Sequence, residues 1–178
     1  MLTGSISLDG SASGLDKFIQ NFSKLKCIKA EFEQKSYIKL YKIWKTAKGK
    51  VYIKKNRGIV WIYPDKITGV YNDRIFLFGK GYEPYIKKLS KDDPVAFLWK
   101  KGVIDRFDIK KEKKGWQFVM KKNRDYKATI IFNDSGLISL IKQTDLFGNI
   151  TTFKFNNQQF ECNFSINRMI EDYSKRFE

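Results

Sequence analysis

A chain of 178 residues with 42% hydrophobic residues and 15 Phe, 9 Tyr and 4 Trp is long enough for one domain with one core, and is not a disordered tail. It has no histidine and only two cysteines, which removes histidine general bases, Ser-His and Cys-His nucleophile pairs and histidine metal sites. The net charge of +16 favours anionic partners, but only six of the 35 basic residues are arginine (Arg57, Arg74, Arg106, Arg124, Arg168, Arg176); the positive surface is therefore mainly lysine, a hydrated point charge lacking the planar fork that reads phosphate or guanine.

Residues Met1 to Gly14 are small and polar, with neither the basic nor the apolar region of a signal peptide. They are expected to be disordered or an artificial extension, so that the protein is either cytoplasmic or a mature form behind a replaced leader. Ser13 and Asp16 then resemble a capping pair, and Leu15, Phe18, Ile19, Phe22 and Leu25 recur at helical spacing. This predicts a helix from Gly14 to Lys26 with one apolar stripe.

From Ile28 onward the period changes to two. Ile28, Ala30 and Phe32 alternate with Lys29, Glu31 and Glu33, and a second, less regular run covers Tyr37 to Trp44. In Gly49 to Pro64, Val51 and Ile53 alternate with Tyr52 and Lys54, and Ile59, Trp61 and Tyr63 with Val60 and Ile62. Further strands are expected over Ile67 to Tyr71, Arg74 to Phe78, Val103 to Lys111, Trp116 to Lys122, Tyr126 to Phe132, Leu137 to Gln143, Ile150 to Asn156 and Gln159 to Ile166. The links between them carry turn residues such as Asn72-Asp73 and Phe147-Gly148-Asn149, and short links between neighbours imply an antiparallel meander. One interruption stands out. Asp93 before Pro94, then Val95 to Trp99 and Gly102, predicts a short apolar helix that could serve as a lid or plug.

Cys27 and Cys162 have no CxxC spacing and no metal-ligating companions, so they are either free or a single bridge of an oxidising compartment. No Walker loop, dinucleotide fingerprint, nucleophile elbow or calcium loop is present. The carboxylate pairs Asp92-Asp93 and Glu31 with Glu33 fit a helix cap and the polar side of a strand better than a catalytic dyad. Catalysis is not expected. No apolar run approaches the roughly 20 residues of a membrane-spanning helix. The aromatic stripes have three readings: plain core, the wall of an apolar ligand cavity, or platforms on which single-stranded bases stack.

Several motifs occur in an order that resembles the LolA family of periplasmic lipoprotein carriers. Ala30-Glu31-Phe32-Glu33-Gln34 is similar to the family's A-x-F-x-Q, and Gly49 to Asn56 leading to Trp61-Ile62-Tyr63-Pro64 resembles its glycine, strand, Arg-Pro and aromatic-Trp series. Val70 to Phe78 resembles its Asp-Gly-Lys hairpin, Pro94 to Leu98 its proline-led short helix, and Asp145 to Asn149 with Thr151 and Phe153 its late D-x-x-G-x-x-T-x-x-F pattern. The chain departs from the pattern at Lys55, Asn56 and Asp73, which stand where the family has Arg, Pro and Gly, and at Asn167-Arg168 near its end.

The resemblance implies a mainly β protein with helices (α+β), an unclosed antiparallel β-barrel or half-barrel roofed by α-helices, over residues 15–178. Its hydrophobic hollow would receive lipoprotein acyl chains, with no cofactor and no enzymatic activity. The partners implied are an inner-membrane ABC transporter that releases lipoproteins and an outer-membrane lipoprotein receptor, for a periplasmic monomer without nucleic acid or stable membrane insertion. The cavity and its lid would be formed by Phe18, Phe22, Phe32, Val51, Ile53, Ile59, Trp61, Phe76, Phe97, Leu98 and Phe153, with Lys55 as the lid latch. The competing reading is a basic module that binds nucleic acid or an anionic surface through aromatic stacking.

Overall fold

The structure, a computed structural model, describes residues 14–88, 104–113, 115–121 and 127–176, without the side chains of residues 22 and 23. After helix α1 (Gly14–Lys24) come strands β1 (Cys27–Ile38), β2 (Ile43–Lys54), β3 (Gly58–Ile62), β4 (Lys66–Tyr71), β5 (Arg74–Gly79) and β6 (Tyr85–Lys88). A short 3₁₀ turn (Ile104–Arg106) leads into β7 (Phe107–Glu112), β8 (Gly115–Met120), β9 (Lys127–Phe132), β10 (Ile138–Thr144) and β11 (Ile150–Gln159), and helix α2 (Ile166–Ser174) follows. The eleven strands form one sheet in the order β6-β5-β4-β3-β2-β1-β11-β10-β9-β8-β7. Two meanders are thus joined at the antiparallel seam of β1 with β11, and the two edges, β6 and β7, are not paired with each other. The sheet is unclosed.

Period-two alternation sorts the side chains onto two faces. One face carries Ala30, Phe32, Val51, Ile59, Val70, Phe118, Ile130 and Ile141 in a single buried cluster. The pairings Phe32 with Phe155, Val51 with Trp61, and Ile59 with Val70 show this parity crossing the strands unbroken. The face is concave. Trp61 on β3 and Phe153 on β11 are three strand steps apart, about 14 Å in a flat sheet, yet their ring centroids lie 4.8 Å apart. Bending toward this side is what lets the rings meet.

On the opposite face Lys29, Glu31, Glu33, Lys48, Lys50 and Lys154 follow one another across β1, β2 and β11 and keep the middle of the sheet wet. At its β3–β5 end the same face is apolar, and α2 covers it: Ile166 is buried among Val60, Ile67, Phe76 and Phe78. Ser165 caps α2, its side chain accepting from the Arg168 N–H, and Ile166, Met169, Ile170 and Tyr173 form the helical stripe that meets the sheet.

Several expectations need correction. The run Tyr37 to Trp44 is no separate strand but the hairpin joining β1 and β2, turning over residues 39–42 with Lys42 at φ 53. Lysines interspersed with apolar residues there mark a turn tip, where nothing imposes alternation. The expected strand Gln159 to Ile166 is replaced by irregular chain followed by α2, because the Ser165 cap and the stripe beyond it favour a helix. Strand β6 was not foreseen, and α1 ends at Lys24 rather than Lys26. Within α1, Leu15 and Phe18 are buried while Ile19 is exposed, so the stripe is narrower than its spacing suggested. The short helix expected at Asp93 to Gly102 and the Ser13 cap lie outside the described residues. Of the two described helices α1 meets the concave face and α2 sits on the other side.

Cys27 and Cys162 are joined by a disulfide, with their Cα atoms 5.3 Å apart. It ties the start of β1 to the link that leads into α2 and leaves no free cysteine among the described residues. The loop it closes spans 135 residues.

Candidate functional hollow

The concave face is not uniform along its strands. At the Cys27 end of β1 lies a small cavity of about 30 Å³. Its walls are Ile28 and Ala30 of β1, Val51 and Ile53 of β2, Ile59 and Trp61 of β3, Ile138 and Ile141 of β10, and Phe155 of β11. Phe18 and Leu25, from α1 and the link after it, close it. Two amides line it, but their N–H groups are committed: Asn21 donates to the Ser135 carbonyl at 2.9 Å and Gln158 to the Ile138 carbonyl at 3.0 Å. What remains facing the space is carbon, and such a cavity stays dry.

Next to the cavity runs a belt of aromatic rings. Phe32 meets Trp61 at 5.0 Å, Tyr63 at 5.1 Å and Phe153 at 6.0 Å, all edge to face, the geometry that ring quadrupoles favour. Gly49 makes this possible. It sits opposite Phe32, and a Cβ there would lie 2.9 Å from the Phe32 ring and 2.1 Å from the Ile62 carbonyl oxygen.

Beyond the belt the same face becomes polar. The Tyr63 hydroxyl donates to Gln34 Oε1 at 2.7 Å, Gln34 Nε2 donates to Ser36 Oγ at 2.9 Å, and Ser36 and Thr151 share a hydrogen bond of 3.2 Å. These groups edge an open cleft of about 850 Å³ that Lys45, Lys48, Asp65 and Lys66 also border. Burial, and secondarily the Asp65 carboxylate, push the Tyr63 hydroxyl up to about 12, so it is a neutral donor at physiological pH. The sheet thus offers a closed dry end, an aromatic middle and a wet mouth.

Helix α1 forms one wall of this arrangement and is seated on β9 and the turn that follows it. Phe18 stacks on Phe132 of β9 with centroids 4.8 Å apart, Lys17 Nζ donates to the Asp134 carbonyl at 2.9 Å, and Asn21 adds the bond to Ser135. Gly136, at φ +75, lies directly beneath; a Cβ there would come within 2.6 Å of Lys17 Cβ. Both hydrogen bonds are exposed and cheap to exchange for water.

Among the residues expected from the sequence, Phe18, Val51, Ile53, Ile59 and Trp61 line the cavity, and Phe32 and Phe153 form the belt beside it. Phe76 is placed elsewhere, on the opposite face beneath α2, because the parity of β5 turns Ile75 inward instead. Phe22 lies in α1 with its side chain outside the described residues, as are Phe97 and Leu98 entirely. Lys55 stands in the turn after β2, its N–H donating to the Lys26 carbonyl at 2.9 Å just beyond the end of α1. Ile28, Ala30 and Phe155 were missed although they keep step with Phe32 and Phe153. Ile138 and Ile141 could not be paired by alternation, since a register shift between Ile138 and Leu140 breaks the parity of β10. Among the described residues no group of His, Cys, Asp or Glu is placed to hold a metal ion.

Comparison with solved structures identifies the fold. A LolA superfamily protein from Nitrosomonas europaea superposes with a TM-score of 0.59 at 8% sequence identity, covering 92% of this chain and 98% of that one. A DUF1329 family protein from Desulfovibrio piger superposes with a TM-score of 0.51 at 11% identity, covering 96% and 100%. No protein-family profile and no curated protein matches the sequence. The chain therefore has a divergent LolA-like fold, shared in backbone and not in sequence.

Proposed function

We propose that this chain is a carrier of lipoprotein acyl chains, which it takes up on the concave face from an inner-membrane ABC transporter and passes to an outer-membrane receptor. The observation that carries the reading is the dry apolar cavity closed by Phe18, at the end of an aromatic belt that opens on a wet cleft. The LolA-like fold supports it. The disulfide supports a periplasmic setting, since such bonds persist in oxidising compartments.

The cavity of about 30 Å³ holds no acyl chain while α1 is in place. Cargo must therefore displace α1, with Leu15 and Phe18 leaving the hollow and the acyl chain taking over their contacts with Ile59, Trp61 and Phe153. Full burial of a sixteen-carbon chain is worth roughly 13 kcal/mol at about 0.8 kcal/mol per methylene, which corresponds to a dissociation constant below about 1 nM. A carrier that bound so firmly would not release. The free energy spent on unseating α1 lowers the net affinity, and onward transfer then needs no chemistry from the carrier itself. Lys55, whose backbone N–H bonds the Lys26 carbonyl just beyond α1, is the candidate latch of the closed form. Phe22, Phe97 and Leu98 complete the proposed lid, and the protein works as a monomer without a cofactor.

Titration of the purified protein with a fluorescent fatty acid tests this. Saturable binding, weakened when Trp61 or Ile59 is replaced by Asp, is the expected result; the absence of saturable binding would overturn the reading.

A further inference from the structure

The largest exposed apolar side chains of the described residues gather at one end of the sheet. Leu40 is 80% exposed and Trp44 63% on the β1–β2 hairpin, and Phe147 is 79% exposed on the β10–β11 turn, with Tyr41 and Leu146 beside them. These two tips are neighbours because β1 and β11 are paired, Tyr37 opposite Ile150. They are also tied together: the Lys39 N–H donates to Asn149 Oδ1 at 2.9 Å. Their order is built in, since Asp145 accepts from the Phe147 and Asn149 N–H groups and from Asn149 Nδ2, at 2.8–2.9 Å. The Trp44 ring rests against Tyr37 with centroids 5.1 Å apart.

We propose that this double tip docks on an anionic lipid bilayer. Leucine and phenylalanine stand at the apices, tyrosine and tryptophan lie next to them, and exposed Lys39, Lys42, Lys45 and Lys142 surround them. Aliphatic apex, interfacial aromatic and lysine collar is the order of chemistry met on crossing from acyl chains to head groups. The four lysines outnumber the one carboxylate at the tips, Asp145, so the collar is net positive. A protein partner fits less well. Interfaces between proteins are depleted in lysine and enriched in arginine, and every basic residue of this collar is lysine.

Docking here stands on the surface alone and does not depend on the hollow accepting cargo. The test is co-sedimentation of the purified protein with vesicles of phosphatidylcholine alone and of phosphatidylcholine mixed equally with phosphatidylglycerol, at low and high salt. Adsorption to the mixed vesicles that weakens with salt is expected, with a blue shift of Trp44 emission absent in Trp44→Phe. The double variant Leu40→Ser, Phe147→Ser should lose at least about tenfold in partitioning with an unchanged melting curve, since neither side chain packs in the core. No adsorption to the mixed vesicles at low salt, or adsorption unchanged in the double variant, would overturn the proposal. So would a tip-dependent dimer without vesicle binding, which would assign the surface to a second copy of the chain.

Discussion

The two helices are alike in sequence character and differ in how the sheet holds them. Each is short and amphipathic with one apolar stripe. Helix α2 starts from a capping serine three residues after a disulfide-bonded cysteine and sinks Ile166 into a closed cluster on the convex side. Helix α1 rests on the concave side with Phe18 over a cavity, two exposed hydrogen bonds and a glycine beneath it. An amphipathic pattern thus says that a helix will find an apolar surface, and the anchoring decides whether it can leave. Helix α2 is bolted to the sheet, and the proposed function requires that α1 can leave it.

The largest expected effect comes from loosening the bolt. Closing a loop of 135 residues is worth about 5 kcal/mol in the chain-entropy picture, so Cys27→Ser with Cys162→Ser should lower the unfolding free energy in urea by an amount of that order. A loss under about 1 kcal/mol would remove the disulfide from the comparison. Truncating the anchor itself is next: Ile166→Ala should lose about 3 kcal/mol in the same assay, without altering acyl-probe affinity, because that face takes no part in binding.

Phe18→Ala should behave in the opposite sense. It should lose only about 2 kcal/mol of stability, because the neighbouring wall can relax into the space, and it should bind the acyl probe about tenfold more tightly, since less closed-state packing has to be surrendered. Weaker binding in this variant would make Phe18 part of the bound state rather than of the lid. Gly136→Ala should strain the seat of α1 through both its φ of +75 and the Cβ contact with Lys17. Hydrogen exchange in α1 should then speed up by the equivalent of about 1 kcal/mol while that of α2 stays unchanged.

The smallest effect concerns pH. Tyr63, with its pKa raised to about 12 by burial and the nearby Asp65, is held neutral by the fold. Its contribution is complete below pH 10, the ordinary tyrosine value, and is lost as pH rises through about 12. Absorbance titration should show late-ionising tyrosine, since burial also raises Tyr52, and Tyr63→Phe should remove the latest step.

Much of the concave face was legible because it obeys a simple rule. Phe32, Val51, Ile53, Ile59, Trp61 and Phe153 keep a period of two, and pairing register merely carries that parity sideways. The rule fails where geometry intervenes: at the shift within β10 that brings Ile138 and Ile141 to one side, and at Phe76, whose parity depends on which face the hairpin after Tyr71 selects. Helix α2 was hidden because its first residue, Ile166, continues a series of alternating apolar residues, Phe160, Cys162 and Phe164, that looks like strand until Ser165 caps the helix. The disulfide was beyond reach, since it unites residues distant in sequence through the β1–β11 seam that only the fold supplies.

Whether α1 must leave for cargo to enter is decided most directly by locking it in place. Asn21→Cys with Ser135→Cys, bridged by a short bifunctional thiol reagent at the point where Asn21 now bonds the Ser135 carbonyl, should abolish saturable binding of a fluorescent fatty acid that the unbridged double variant and the parent protein both bind. Equal affinity with the helix locked and free would show that the hollow beneath α1 is ordinary core.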